Sequence, residues 1–313
     1  MVLRLHRLHL KTSAGQKGHE GGTREELVCL CLNQKSPFLA IGWSYLYNNY
    51  SIDSFYDYLQ AYYAAENKKS TPHCFSKLSI DDLVWTRDLN GVYYLCRIID
   101  APKHFENESD RLRLDIGAII RVELLKVGLS VPGAIVSRFY STNGRQPALQ
   151  AINNEKMLEY SKMIYNQLSG KIYYELLNTQ YDIFEMLDAW DLEELVVNYL
   201  QIKYDYYLSK NSITKHDSTI KIECELFPRS KQVTKSAVVQ VKVKRDAEQP
   251  WDYYDDYYFK ENKDVFIFYA NEDYSGYKNE IKTISRKDLM DFISMYKKIL
   301  PFSIQKWCDL CKL

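Results

Sequence analysis

Residues 219–244 read TIKIECELFPRSKQVTKSAVVQVKVK, and their alternation decides the fold. An extended strand turns successive side chains to opposite faces. In 237–244, Ala237, Val239, Val241 and Val243 point one way, and Gln240, Lys242 and Lys244 point the other. In 219–227, Ile220, Ile222, Cys224 and Leu226 make an apolar face opposite Lys221, Glu223 and Glu225. A turn through 228–235, opened by Pro228, makes the two runs a hairpin. Carboxylate, amide and ammonium groups then converge on one surface. Upstream, Leu192, Leu195, Val196, Tyr199 and Leu200 form one stripe of a helix over 191–203. Strands are expected at 206–212 and 265–270, and a closing helix over 285–298. Helix, strands and helix around a mixed central sheet make an α/β domain.

The N-terminal half reads differently. Leu83-Val84-Trp85-Thr86-Arg87 and Val92-Tyr93-Tyr94-Leu95-Cys96-Arg97-Ile98 flank Asn90-Gly91, the sequence of a tight β-hairpin. Further strands are expected at 2–10, 112–115, 118–126 and 134–140, with helices from Arg24 and from Ser51 through Ala65. Residues 1–150 are therefore expected to form an α+β, β-rich module. The polar helical pattern over 154–168, ended by Gly170, suits a connector over 151–178. That leaves 179–313 as the second domain. Residues 16–23 are Gly-rich but lack the spacing of a phosphate-cradling loop, so they read as a surface loop.

Composition sets the outer limits. The chain has 313 residues, 46% hydrophobic, with 41 Lys+Arg against 41 Asp+Glu. Disordered, collagen-like and disulfide-scaffold classes are excluded. Residues 1–150 hold 18 basic and 15 acidic residues, a balance of +3, so 151–313 carry −3. Net neutrality excludes a polybasic binder and leaves local patches open. The apolar run 27–32 is far shorter than the ~20 residues of a membrane-spanning helix, and 1–11 is no signal peptide. A cytoplasmic protein without membrane partners is expected. The seven cysteines are an odd, scattered set that reads as reduced core thiols. Cys308 and Cys311 have no second pair at metal-site spacing.

The motif set Asp191-Leu192-Glu193-Glu194-Leu195-Val196, Thr219-Ile220-Lys221-Ile222-Glu223 and Val239-Gln240-Val241-Lys242 resembles the PD-(D/E)xK nuclease superfamily. Within it, the set is most similar to the Mrr-like restriction endonucleases that carry Q-x-K. The resemblance runs from Asp191 to the C-terminus. It implies a magnesium-dependent endodeoxyribonuclease of restriction or phage-defence type, with manganese as a substitute, acting on DNA as a homodimer. By position, Glu223 would ligate the metal with Gln240 and the Val241 carbonyl. Lys242 would be the motif lysine and Glu193 the supporting helix acid. The family's commonest residue at the first strand position is Asp, and Glu225 shares the face of Glu223, so either glutamate can be the ligand. Hard divalent cations take such oxygen donors, and a lysine beside them can orient water or neutralise developing charge. A catalytically degenerate nucleic-acid reader and an RNA-directed nuclease are the alternatives.

Lys231, Lys235, Lys244 and Arg245 suit phosphate contacts as well as they suit a solvated hairpin. Tyr253, Tyr254, Tyr257 and Tyr258 interleave with Asp252, Asp255 and Asp256, which would repel a phosphate backbone, so this stretch reads as a surface element. His216 and Asp217 read as surface loop. The first module is similar to the EVE or PUA-like modules fused to restriction-type nucleases. That resemblance implies an aromatic pocket for a modified or extruded base, with Trp43, Trp85 and Tyr94 as stacking candidates and Arg87 and Arg97 near the backbone.

Overall fold

The β-branched and aromatic runs pair into two separate sheets, each with its own helices. The computed structural model describes residues 3–11, 21–66, 70–140, 147–177, 180–209, 224–242, 261–271 and 281–313. The chain divides into two compact units, Met1–Val131 with Ile135–Leu177, and Pro132–Ala134 with Asn178–Leu313.

In the first unit, β1 (Leu5–Leu8), β2 (Phe38–Ile41), β3 (Leu83–Arg87), β4 (Tyr93–Ile98), β5 (Lys103–His104), β6 (Ala118–Gly128) and β7 (Leu149–Ala151) form one curled sheet. Its order is β2-β6-β4-β3-β1-β7, with β5 beside β6. The expected hairpin joins β3 to β4, with Thr86 opposite Tyr94. Asp88 Oδ1 accepts from the amides of Asn90 and Val92, both at 2.9 Å, and Gly91 takes φ +80° in the turn. The sheet is mixed, because β1 pairs parallel with β3 and antiparallel with β7.

Helices α1 (Arg24–Cys31), α2 (Phe55–Glu66), α3 (Thr71–Phe75), α4 (Glu108–Leu114), α5 (Gly133–Phe139) and α6 (Glu155–Ser169) complete the elements up to residue 177. Leu39, Ile41, Tyr58, Val84, Ile98, Leu114 and Ile120 are among the core residues. Two expected strands are helices. In 112–115 the Leu-Arg-Leu-Asp alternation suggested β, yet Asn107 caps α4 by accepting from the Asp110 amide at 3.1 Å, and Asp115 ends it in a left-handed conformation. In 134–140, Pro132 precedes a helical turn whose Ala134 amide donates to Asp188. The helix expected as a connector belongs to the first unit: on α6, Ser161 Oγ accepts from the buried Trp85 indole at 2.9 Å.

In the second unit, α7 (Ile183–Met186) and α8 (Ala189–Lys203) precede β8 (Tyr206–Leu208), β9 (Cys224–Pro228), β10 (Ala237–Lys242), β11 (Asp264–Tyr269) and β12 (Ile281–Ile284). Helices α9 (Arg286–Tyr296) and α10 (Phe302–Leu310) follow. The five strands lie in sequence order. Strand β9 is antiparallel to both neighbours, whereas β10, β11 and β12 run parallel. Tyr206 crosses two strands to donate to Asp264 Oδ2 at 2.9 Å. Among the described residues, no helix is long and apolar enough to cross a membrane.

Candidate functional site

Directly opposed residues of neighbouring strands share a face of the sheet. Glu225 of β9 opposes Val238 of β10, so Glu225, Val238, Gln240 and Lys242 lie on one side. On β11 the neighbours of Gln240 and Lys242 are Ile267 and Tyr269. Gln240 is 3% exposed, and Lys242, at the end of the strand, is half-buried. The alternation read from 237–242 is thus the alternation of the folded strand. Val239 and Val241 point to the other side, with Cys224, Leu226, Phe266 and Phe268.

That other side carries the described helices. Tyr204, at the end of α8, packs edge-on against Phe266 with centroids 5.1 Å apart, and Phe184 of α7 lies 5.6 Å from Phe268. Gln201 of α8 accepts from the Leu208 amide at 3.1 Å. Glu193 therefore rides on a helix that covers the face opposite Gln240 and Lys242.

Glu223, Lys244 and Arg245 lie outside the described residues, as do His216, Asp217 and 252–258. Glu225 forms an ion pair with Lys263 at 3.2 Å, and Lys263 also meets Glu261 at 2.7 Å. Burial alone would lower the Lys263 ammonium, but the two carboxylates hold it above its ordinary value. Glu225 is thus a partly neutralised acid on the same face as Gln240. Among the described residues, no three His, Cys, Asp or Glu side chains group as metal ligands. The donors described on this strand, the Gln240 amide oxygen and the Val241 carbonyl, are hard oxygen ligands of the type magnesium takes.

The expected DNA contacts separate. Lys231 and Lys235 are exposed in the β9–β10 turn, at the opposite end of β10 from Lys242. At 3.3 Å per residue, that is about 17 Å along the strand. Trp85 cannot stack on a base, because it is 0% exposed with its indole nitrogen bonded inside the first unit. Arg97 is committed to Asp81 at 2.7 Å and Glu123 at 2.8 Å and lies over the Tyr173 ring. Although burial opposes it, hydrogen bonds to Glu123, Tyr165 and Asp81 hold its guanidinium above the ordinary value. Trp43 is half-buried, with φ +65° and its ring edge-on to Tyr62 at 5.4 Å. Tyr94 donates to Asp88 at 3.3 Å. Among the described residues of the set, Arg87 meets an exposed aromatic ring, Tyr140, beside further basic residues.

Those residues escaped the sequence reading. Arg87 stacks over Phe139 and Tyr140, both at 5.3 Å, and Arg7 and His9 approach the same Phe139 ring at 5.7 and 5.9 Å. The Arg and His residues of 4–9 were the available signal, but they read only as part of a strand over 2–10. No family model, curated protein or solved structure matches the chain.

Proposed function

We propose that the chain is a nuclease of the PD-(D/E)xK type that hydrolyses DNA phosphodiester bonds, with Gln240 and Lys242 at its centre. The observation that carries this reading is the shared face of Gln240 and Lys242 on the central strand of a mixed five-stranded sheet. Magnesium would be held by Glu223, Gln240 and the Val241 carbonyl, and it would stabilise charge on the scissile phosphate. Lys242 holds a positive charge where the attacking water and the phosphate oxygens would meet. Gln240, buried on the same face, would supply its amide oxygen as a metal ligand. Glu193 has no role in this reading, and Glu225 supports the face through its pairing with Lys263. On this reading two copies of the chain would cut both strands of cytoplasmic DNA, and sedimentation with and without DNA tests the pairing.

The test is Lys242→Ala in the full chain. Wild-type protein with magnesium is expected to nick plasmid DNA, and the variant to lose at least about 100-fold of that rate. Equal cutting by the variant overturns the site. Digestion of RNA beside DNA separates the two substrates. The neutralised Glu225 favours one second reading, a nucleic-acid reader that has lost catalysis. Calorimetry that detects no magnesium or manganese binding selects it.

A further inference from the structure

The first unit gathers positive charge around one aromatic ring. Arg7 and Arg87 set their guanidinium carbons 5.7 and 5.3 Å from the Phe139 centroid, and His9 meets the same ring edge-on at 5.9 Å. Arg24, at the start of α1, comes within 2.7 Å of His9 Nε2 and donates from Nε to the Leu10 carbonyl at 2.9 Å. Arg7, 1% exposed, is clamped by the carbonyls of Pro147 and Ala148 at 2.9 and 3.2 Å and by the Gln150 amide oxygen at 3.1 Å.

The electrostatics agree with this geometry. Burial first, then the charges of Arg24, Lys11, Arg7 and Arg87, lower His9 to about 3. Burial and Arg138 bring Arg7 down to about 10. Burial and then Arg7 and Arg24 lower Lys11, while burial and Arg87 lower Arg24. Each group is thus penalised by its cationic neighbours. Holding like charges this close disfavours the free protein, and an anion at the same spot reverses the sign of the interaction. The cations are only partly covered: Arg24, Arg87 and Arg138 are half-buried and Lys11 is exposed, and the neutral His9 ring between them is half-buried. Beside them Tyr140 presents its ring at 64% exposure, with Arg87 stacked on it at 5.3 Å.

We propose that Lys11, Arg24, Arg87 and Arg138, backed by the buried charge of Arg7, form a binding site for the phosphodiester backbone of a nucleic acid, with Tyr140 stacking on an adjacent base. Rigid guanidinium forks suit phosphate oxygens, and a ring capped by arginine suits an unpaired base. This site deepens the reading above, on which it rests only for nucleic acid as the ligand. It shares no residue with the Gln240 and Lys242 strand.

The test uses the full chain in EDTA, so that binding is read without cutting. Fluorescence anisotropy follows labelled single-stranded DNA, its duplex and an RNA of the same sequence, at low and high salt. The double variant Arg24→Gln/Arg87→Gln is expected to bind at least about tenfold more weakly, with a salt slope shallower by about two. Tyr140→Ala is expected to weaken single strands about tenfold and the duplex less. Lys298→Gln, at an exposed lysine of the second unit, controls for net charge and is expected to change nothing. Thermal melts show that each variant is folded. A folded double variant that binds all three ligands like wild type overturns the proposal. So does wild-type protein that binds inorganic phosphate but no oligonucleotide. Wild-type protein that binds through this cluster yet never cuts in magnesium sinks the nuclease reading alone, and Lys242→Ala that binds but does not cut upholds both.

Discussion

Asp191 is an acid held where its charge is disfavoured. It is 4% exposed, its Oδ2 accepts from the Trp307 indole at 2.9 Å, and Asp188, itself raised by burial, caps the same helix end. Burial first, then the Asp188 charge, push Asp191 up to about 8. The folded chain therefore binds this proton more tightly than the unfolded chain does. The stabilisation is complete below the ordinary carboxylate value of about 4 and is lost as pH rises toward about 8. Asp191→Asn keeps an acceptor for Trp307 and removes the titration. Its melting temperature is expected to fall less than wild type over that interval, as calorimetry at a series of pH values would show. In the sequence Asp191 is an ordinary helix-start acid, because burial by Trp307, 116 positions away, leaves no local trace.

At the scale of elements, alternation was the dependable signal. The hairpin β3–β4 and the faces of β9 and β10 followed from period-two patterns, α8 from its apolar stripe and α6 from a polar helical pattern ended by Gly170. Caps decided the exceptions. Leu112 to Asp115 alternates like a strand, but Asn107 supplies the amide acceptor that starts a helix. The same chemistry makes α9 testable, since Ser285 Oγ accepts from the Asp288 amide at 3.0 Å and the Asp288 side chain reaches back in a capping box. Ser285→Ala is expected to cost about 1 kcal/mol in urea unfolding, with no change in the m-value. The candidate site was legible on one strand only. A stripe on α8 shows which side of the helix is apolar, and a pleat shows which side of β10 is polar. Neither tells which face of the sheet the helix covers.

At the scale of the whole molecule, the balance of +3 in residues 1–150 conceals a cluster in which Arg7 and Arg87 lie against Phe139 and Arg24 against His9, because net charge is blind to position. The cysteines are clearer. Cys29 and Cys74 are exposed, and Cys31, Cys96, Cys224, Cys308 and Cys311 are buried thiols outside any disulfide. Burial raises the thiols of Cys31 and Cys96 and brings Cys308 and Cys311 to about 11 and about 12. A thiol reagent at neutral pH is expected to titrate two groups at once and all seven only after denaturation. The first sheet also imposes an order on synthesis. Its earliest strand, β1, lies between β3 and β7, partners made nearly 80 and more than 140 residues later. A nascent chain emerging from the ribosome must hold Leu5 and Leu8 in waiting until β7 has been translated. The sheet therefore closes late, and stalled or truncated translation products expose an apolar strand with no edge to join.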